Sequence, residues 1–108
     1  MEPPLFSVGE VRRRVLLRRG TTSGATWRRA KEIFNGRCAY CRVPGQRLQR
    51  DHVIPLSRGG FDSPANVVPA CEGCNLSKGD KAVRYWMLSR GYNYSLFVLR
   101  WMQLRRSA

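Results

Sequence analysis

Acidic residues are scarce in this sequence. Seven Asp+Glu stand against 20 Lys+Arg, so 20 − 7 leaves a net charge of +13 at pH 7. The basic residues are nearly all arginine, whose planar fork grips phosphate oxygens in pairs as lysine cannot. A base-composition bias of the genome would also favour arginine, but it does not explain the missing acids. A small chain with this balance seeks polyanions: DNA, RNA, acidic lipid or an acidic protein. Long apolar runs are also absent, which excludes a membrane-spanning helix. The stretch Met1 to Glu10 has no basic segment followed by an apolar one, so a secretory signal is not expected. The expected location is the cytoplasm. Histidine occurs once, at position 52, and cysteine four times. In a reducing compartment so few thiols point to metal binding before disulfides.

A length of 108 residues suits one domain whose core is small enough to benefit from a staple. Residues 1–24 read as a basic, partly disordered arm carrying Arg12, Arg13 and Arg14, in which residues 10–19 can be a short helix or an extended segment. Trp27, Ala30, Ile33 and Phe34 then fall on one helical face, with Thr26 or Ser23 as the cap and Asn35-Gly36 as the left-handed stop. Arg28, Arg29 and Lys31 take the opposite face. Arg47 to Val53 alternates like a strand, 54–65 is loop, and Asn66 to Pro69 is a short second strand. A helix is expected from Glu72 to about Lys78. Beyond it, 81–108 reads as two short helices broken at Gly91, completing the core or offering a face to a second copy of the chain.

Two CxxC pairs, Cys38/Cys41 and Cys71/Cys74, each fit a turn that brings both sulfurs to one side. Together they make a closed tetrahedral cage, structural in character because sulfur fills every ligand place. A thioredoxin-like dithiol would need a βαβ pattern, which is missing. Four cysteines can also hold an iron–sulfur cluster, although the compact spacing favours zinc.

The insert between the pairs carries chemistry of its own. Imidazole is matched to accepting a proton from water near neutral pH, so His52 is a candidate general base. Asp51 offers a hard anionic oxygen and Asn75 a neutral amide oxygen, a sparse set suited to Mg²⁺ or Mn²⁺. Taken singly, His52 can be a structural partner of a carboxylate, Asn75 a helix cap and Asn66 a turn residue. Asp51 and His52 are also neighbours, and neighbours on a regular strand face opposite sides. Both reach one site only if the strand twists or ends there.

The order DH-x-x-P at Asp51–Pro55, the Gly59-Gly60 loop, the central Asn66 and CxxCN-x-x-K at Cys71–Lys78 resembles the HNH nucleases, the ββα-metal or His-Me finger class, in the branch with a four-cysteine zinc site. The likeness covers about residues 38–80. It implies an α+β fold: a small ββα-metal finger with a zinc knuckle pair and helices at both ends. Residues 25–80 form the nuclease core and 81–108 a helical extension packed on it. The resemblance further implies a DNA endonuclease with little sequence preference. In it His52 is the base, Asp51 and Asn75 hold the catalytic Mg²⁺ or Mn²⁺, and Asn66 pins the loop that carries the base. Lys78 and Arg58 would lie near the scissile phosphate, and Arg12, Arg13, Arg14, Arg28 and Arg29 on the flanking backbone. Many members of the family end the pattern in His where this chain has Asn75. The competing expectation is a zinc-stabilised nucleic-acid-binding module without catalysis.

Overall fold

The computed structural model describes residues 23–45 and 47–107. Helix α1 spans Gly24–Ile33. Ser23 caps it, its side chain accepting from the Thr26 amide at 3.3 Å. Ala30, Ile33 and Phe34 are buried and Trp27 packs against them, so the apolar stripe read from the sequence is the face turned inward. The chain leaves the helix through two left-handed residues, Asn35 (φ 58°) and Gly36 (φ 67°). The amide of Gly36 reaches back to the Lys31 carbonyl at 2.8 Å, which satisfies one of the carbonyls a helix end leaves open.

Strands β1 (Gln49–His52) and β2 (Val67–Ala70) pair antiparallel, with Asp51 opposite Val68 and His52 opposite Val67. β1 is shorter than the alternation in 47–53 suggests. It stops at His52 because the chain turns into Pro55 and a short 3₁₀ turn at Leu56–Arg58. β2 is buried along its length, and this is why Val67, Val68 and Ala70 carry no polar alternation. Helix α2 (Glu72–Lys78) follows directly. Helices α3 (Val83–Ser89) and α4 (Tyr94–Ser107) come after it, separated at Gly91 (φ 71°).

The C-terminal helices share one core with the rest. Trp86 and Met87 of α3 and Phe97 and Leu104 of α4 bury against Ala30, Ile33, Phe34 and Tyr40. The rings of Tyr40 and Trp86 meet edge-on at 5.1 Å, and Phe97 lies 5.2 Å from Tyr40. Each such ring or aliphatic side chain contributes about 1.5–3 kcal/mol on burial. The small ββα unit therefore rests on α4 and α1 as well as on its cysteines. The Trp101 indole donates to the Ala65 carbonyl at 2.8 Å, tying α4 to the loop before β2. Residues 1–22, including Arg12, Arg13 and Arg14 and the segment 10–19, lie outside the described residues.

Candidate functional site

The four cysteines come together. Their sulfurs all lie within 4.8 Å of one another, and none is in a disulfide. A tetrahedron with Zn–S bonds of about 2.3 Å places its sulfurs roughly 3.8 Å apart, and Cys41 and Cys71 are separated by 3.8 Å. The chemistry and the spacing fit zinc. The first pair sits in a tight turn in which Arg42 takes φ 68° and the Cys38 amide donates to the Val43 carbonyl at 2.9 Å. The second pair opens α2: the Cys71 sulfur caps the helix by accepting from the Cys74 amide at 3.4 Å. Burial raises the Cys74 thiol, reinforced by the charge of Cys38 and by bonds to Cys71 and Cys41. Burial also raises Cys41, with the Val43 backbone working against it. At Cys71 burial works upward, but hydrogen bonds with Cys74, Cys41 and Cys38 outweigh it and lower that thiol. Among the described residues these four make up the one cluster of three or more His, Cys, Asp or Glu able to hold a metal.

By fixing where α2 begins, the cage also sets which way its side chains point. On a helix, positions 71, 75 and 78 stack along one face, and in α2 that face lies against β1. The Asn75 amide nitrogen donates to Gln49 Oε1 at 2.7 Å, and Lys78 Nζ lies 3.2 Å from Asp51 Oδ2. Gln49 and Asp51 are two apart on the strand and share a face, so the helix rows and the strand row match. Asn75 is not the cap of α2; Cys71 is. The Asn75 amide oxygen takes part in none of these bonds.

Asp51 is buried; its Oδ2 accepts from the Tyr40 hydroxyl and is ion-paired with the Lys78 ammonium. Burial and the neighbouring carboxylate, through its charge and its hydrogen bond, push the Tyr40 phenol well above its ordinary value of 10.0. Both contacts are made by Oδ2 of Asp51. Lys78, expected near the scissile phosphate, is fully enclosed: it is 0 % exposed, and its ammonium donates to the His52 carbonyl at 2.8 Å. The reason is the helical register, which puts position 78 over the strand and not toward solvent.

His52 faces elsewhere. Its side chain is partly open, and Nε2 lies 3.0 Å from Asp62 Oδ1. The imidazole and the Asp51 carboxylate thus have separate partners, as strand alternation requires, and Lys78 is the group that touches both residues. β1 does end at His52.

Asn66 holds the loop between β1 and β2. Its Oδ1 accepts from the Ile54 amide at 2.8 Å, and its Nδ2 donates to the carbonyls of Ile54 at 3.0 Å and Phe61 at 2.8 Å. Its backbone carbonyl takes the Val53 amide at 2.9 Å. Gly60 is required by the same closure, since a Cβ there would stand 1.9 Å from the Ile54 carbonyl oxygen. Arg58 is exposed, and its Nε donates to the Asp80 carbonyl, linking this loop to the end of α2. Arg28 and Arg29 are exposed on α1.

Three residues that touch the site escaped the sequence reading: Tyr40, Gln49 and Asp62. The first two carried a signal. Tyr40 lies inside the first CxxC pair, and Gln49 sits two positions before Asp51 on the same strand face. Asp62 lies in irregular loop, where no periodicity marks it.

Residues 38–81 match the HNH endonuclease family. A protein of the SPbeta prophage of Bacillus subtilis, YoqL, named as an HNH endonuclease, is 33% identical over 79 residues, covering 64% of this chain and 34% of that protein. The CRISPR-associated endonuclease Cas9 of Corynebacterium diphtheriae is 34% identical over 55 residues, 48% of this chain and 5% of Cas9. The chain therefore spans about a third of the prophage relative and a twentieth of Cas9. No helix among the described residues is long and apolar enough to cross a membrane. With the motif order, the strand–loop–strand–helix path and the cysteine cage all in the matched segment, residues 38–81 belong to the HNH endonuclease family.

Proposed function

We propose that the chain is a metal-dependent DNA endonuclease with little sequence preference, in which His52 accepts a proton from the attacking water. The observation that carries this reading is the placement of Asp51 and His52 at the end of β1, beside an α2 whose start is set by the cysteine cage. Asp51 Oδ1 and the Asn75 amide oxygen would hold one divalent cation, Mg²⁺ or Mn²⁺, through few protein oxygens, the coordination such ions tolerate when water and phosphate complete the shell. When bound, the ion supplies charge stabilisation at the reacting phosphate.

The chain's own residues do the remainder. The water proton passes to His52, the water oxygen bonds to phosphorus, and the bond to the 3′ oxygen breaks, with that oxygen taking a proton from solvent. The products are a 5′-phosphate and a 3′-hydroxyl. A positioned base contributes about 10²–10⁴-fold. Asn66 keeps the loop behind His52 in place and does not meet substrate. Lys78 balances the Asp51 carboxylate from within. Arg58, Arg28 and Arg29, with Arg12, Arg13 and Arg14, meet backbone phosphates, contacts that position DNA without reading it.

Plasmid nicking with Mg²⁺, Mn²⁺ or EDTA tests the reading. Wild type should cut only with metal, and His52→Ala should bind DNA but not cut. Equal inertness of both proteins under every metal condition would leave a zinc-stabilised binding module as the function. Cutting both strands takes two visits or a second copy, for which the exposed Leu99 and Met102 of α4 offer a contact; sedimentation of the zinc-loaded protein reads which.

A further inference from the structure

We infer that Asp62 is a positioning residue for His52: its carboxylate holds the imidazole in the tautomer that carries the proton on Nε2 and the lone pair on Nδ1. This rests on the nuclease reading above and names the atom of His52 that takes the proton. Asp62 is 8 % exposed although it lies in a loop, and its Oδ1 stands 3.0 Å from His52 Nε2. In a neutral imidazole one nitrogen donates and the other accepts, and a carboxylate can only accept. The nitrogen facing Asp62 is therefore the N–H. Among the described residues Nδ1 makes no hydrogen bond, and the side chain keeps 28 % of its surface open to solvent.

The loop is built to hold Asp62 there. Asn66 Nδ2 fixes the carbonyl of Phe61 at 2.8 Å, and the Asn66 amide donates to the carbonyl of Ser63 at 2.9 Å. These bonds grip the residues on either side of Asp62. Gly60 admits the tight approach just before it. The influence of Asn66 on the base thus runs through Asp62: amide to loop, loop to carboxylate, carboxylate to Nε2. During reaction the water proton goes to Nδ1, while the Nε2 proton stays in its bond to Asp62.

His52 is the sole histidine, so long-range proton–nitrogen correlation of ¹⁵N-labelled, zinc-loaded protein reads one imidazole without overlap. Measured above the imidazole range, wild type should show Nε2 protonated and Nδ1 bare. Asp62→Ala should give a mixed tautomer signal and lower kcat about 10–100-fold, with KM for plasmid little changed. Asp62→Asn still offers an oxygen to Nε2–H, so it should keep the wild-type tautomer and recover much of kcat.

The inference is overturned if wild type shows Nδ1 protonated, if Asp62→Ala keeps both the wild-type tautomer and kcat, or if its loss falls on KM alone. Zinc content and circular dichroism separate a misfolded variant, in which case Asp62→Asn decides. The nitrogen spectrum needs no substrate. A wild type that never cuts would refute the nuclease reading, while the spectrum would still report whether Asp62 sets the tautomer.

Discussion

Lys78 and Asp51 form a buried ion pair, Nζ to Oδ2 at 3.2 Å, with the ammonium fully enclosed and bonded also to the carbonyl of His52. One cation thereby joins the last turn of α2 to the last two residues of β1.

Removing one member of a buried pair leaves the other uncompensated, at about 3–5 kcal/mol. Lys78→Met should therefore lower the unfolding free energy of the zinc-loaded protein by that order in urea titration. Lys78→Met combined with Asp51→Asn should cost less than the sum of the two single changes. A loss within ~0.5 kcal/mol for Lys78→Met, the range of ordinary surface changes, would show that the ammonium is not enclosed in solution.

Zinc removal should unfold more than the knuckles, because Cys38 and Cys74 belong to the same core as Tyr40, Trp86 and Phe97. Chelation is expected to lower the melting temperature well below that of the zinc form and to release one zinc per chain. The two forms should also differ in the sign of their pH response. Without metal, Cys74 and Cys41 are raised in the folded chain from the ordinary 9.0, against a lowered Cys71. The contribution of the raised pair is intact below 9.0 and lost as pH rises. With zinc the thiolates are ligands, and protons compete on the acid side. Melting temperatures followed across pH should fall toward alkali for any folded metal-free protein and toward acid for the zinc form.

The loop closed by Asn66 tolerates little change. Gly60→Ala drives a methyl group into the Ile54 carbonyl oxygen, 1.9 Å away, and Asn66→Ala strips three hydrogen bonds from the chain around Ile54 and Phe61. An orphaned buried polar group costs about 1–3 kcal/mol. Both variants should keep their zinc and lose nicking activity, as read by metal analysis beside the plasmid assay. Full activity in either would mean that the loop does not position the base.

Arginine contacts to phosphate release counterions, so log binding constant should fall linearly with log salt, by roughly 0.9 per phosphate neutralised on duplex DNA. Arg28→Ala with Arg29→Ala should flatten that slope by about one to two units while leaving weak sequence preference unchanged. Fluorescence anisotropy of a labelled duplex across a salt series checks it, and an unchanged slope would place the DNA on another face.

The sequence by itself determined the cage, the element order and the motif. Paired cysteines three apart close a turn locally, a helical stripe such as Trp27, Ala30, Ile33 and Phe34 arises from periodicity, and Gly91 breaks a helix wherever it sits. All of these are short-range effects. Only the tertiary structure decided that Lys78 turns inward, that Asn75 meets Gln49 and that His52 is held by Asp62, a partner ten residues away in irregular loop. Those contacts depend on how α2 lies across β1 and how the loop folds back under Asn66. No pattern along the chain encodes the packing of one element on another, since it arises from the summed fit of distant side chains.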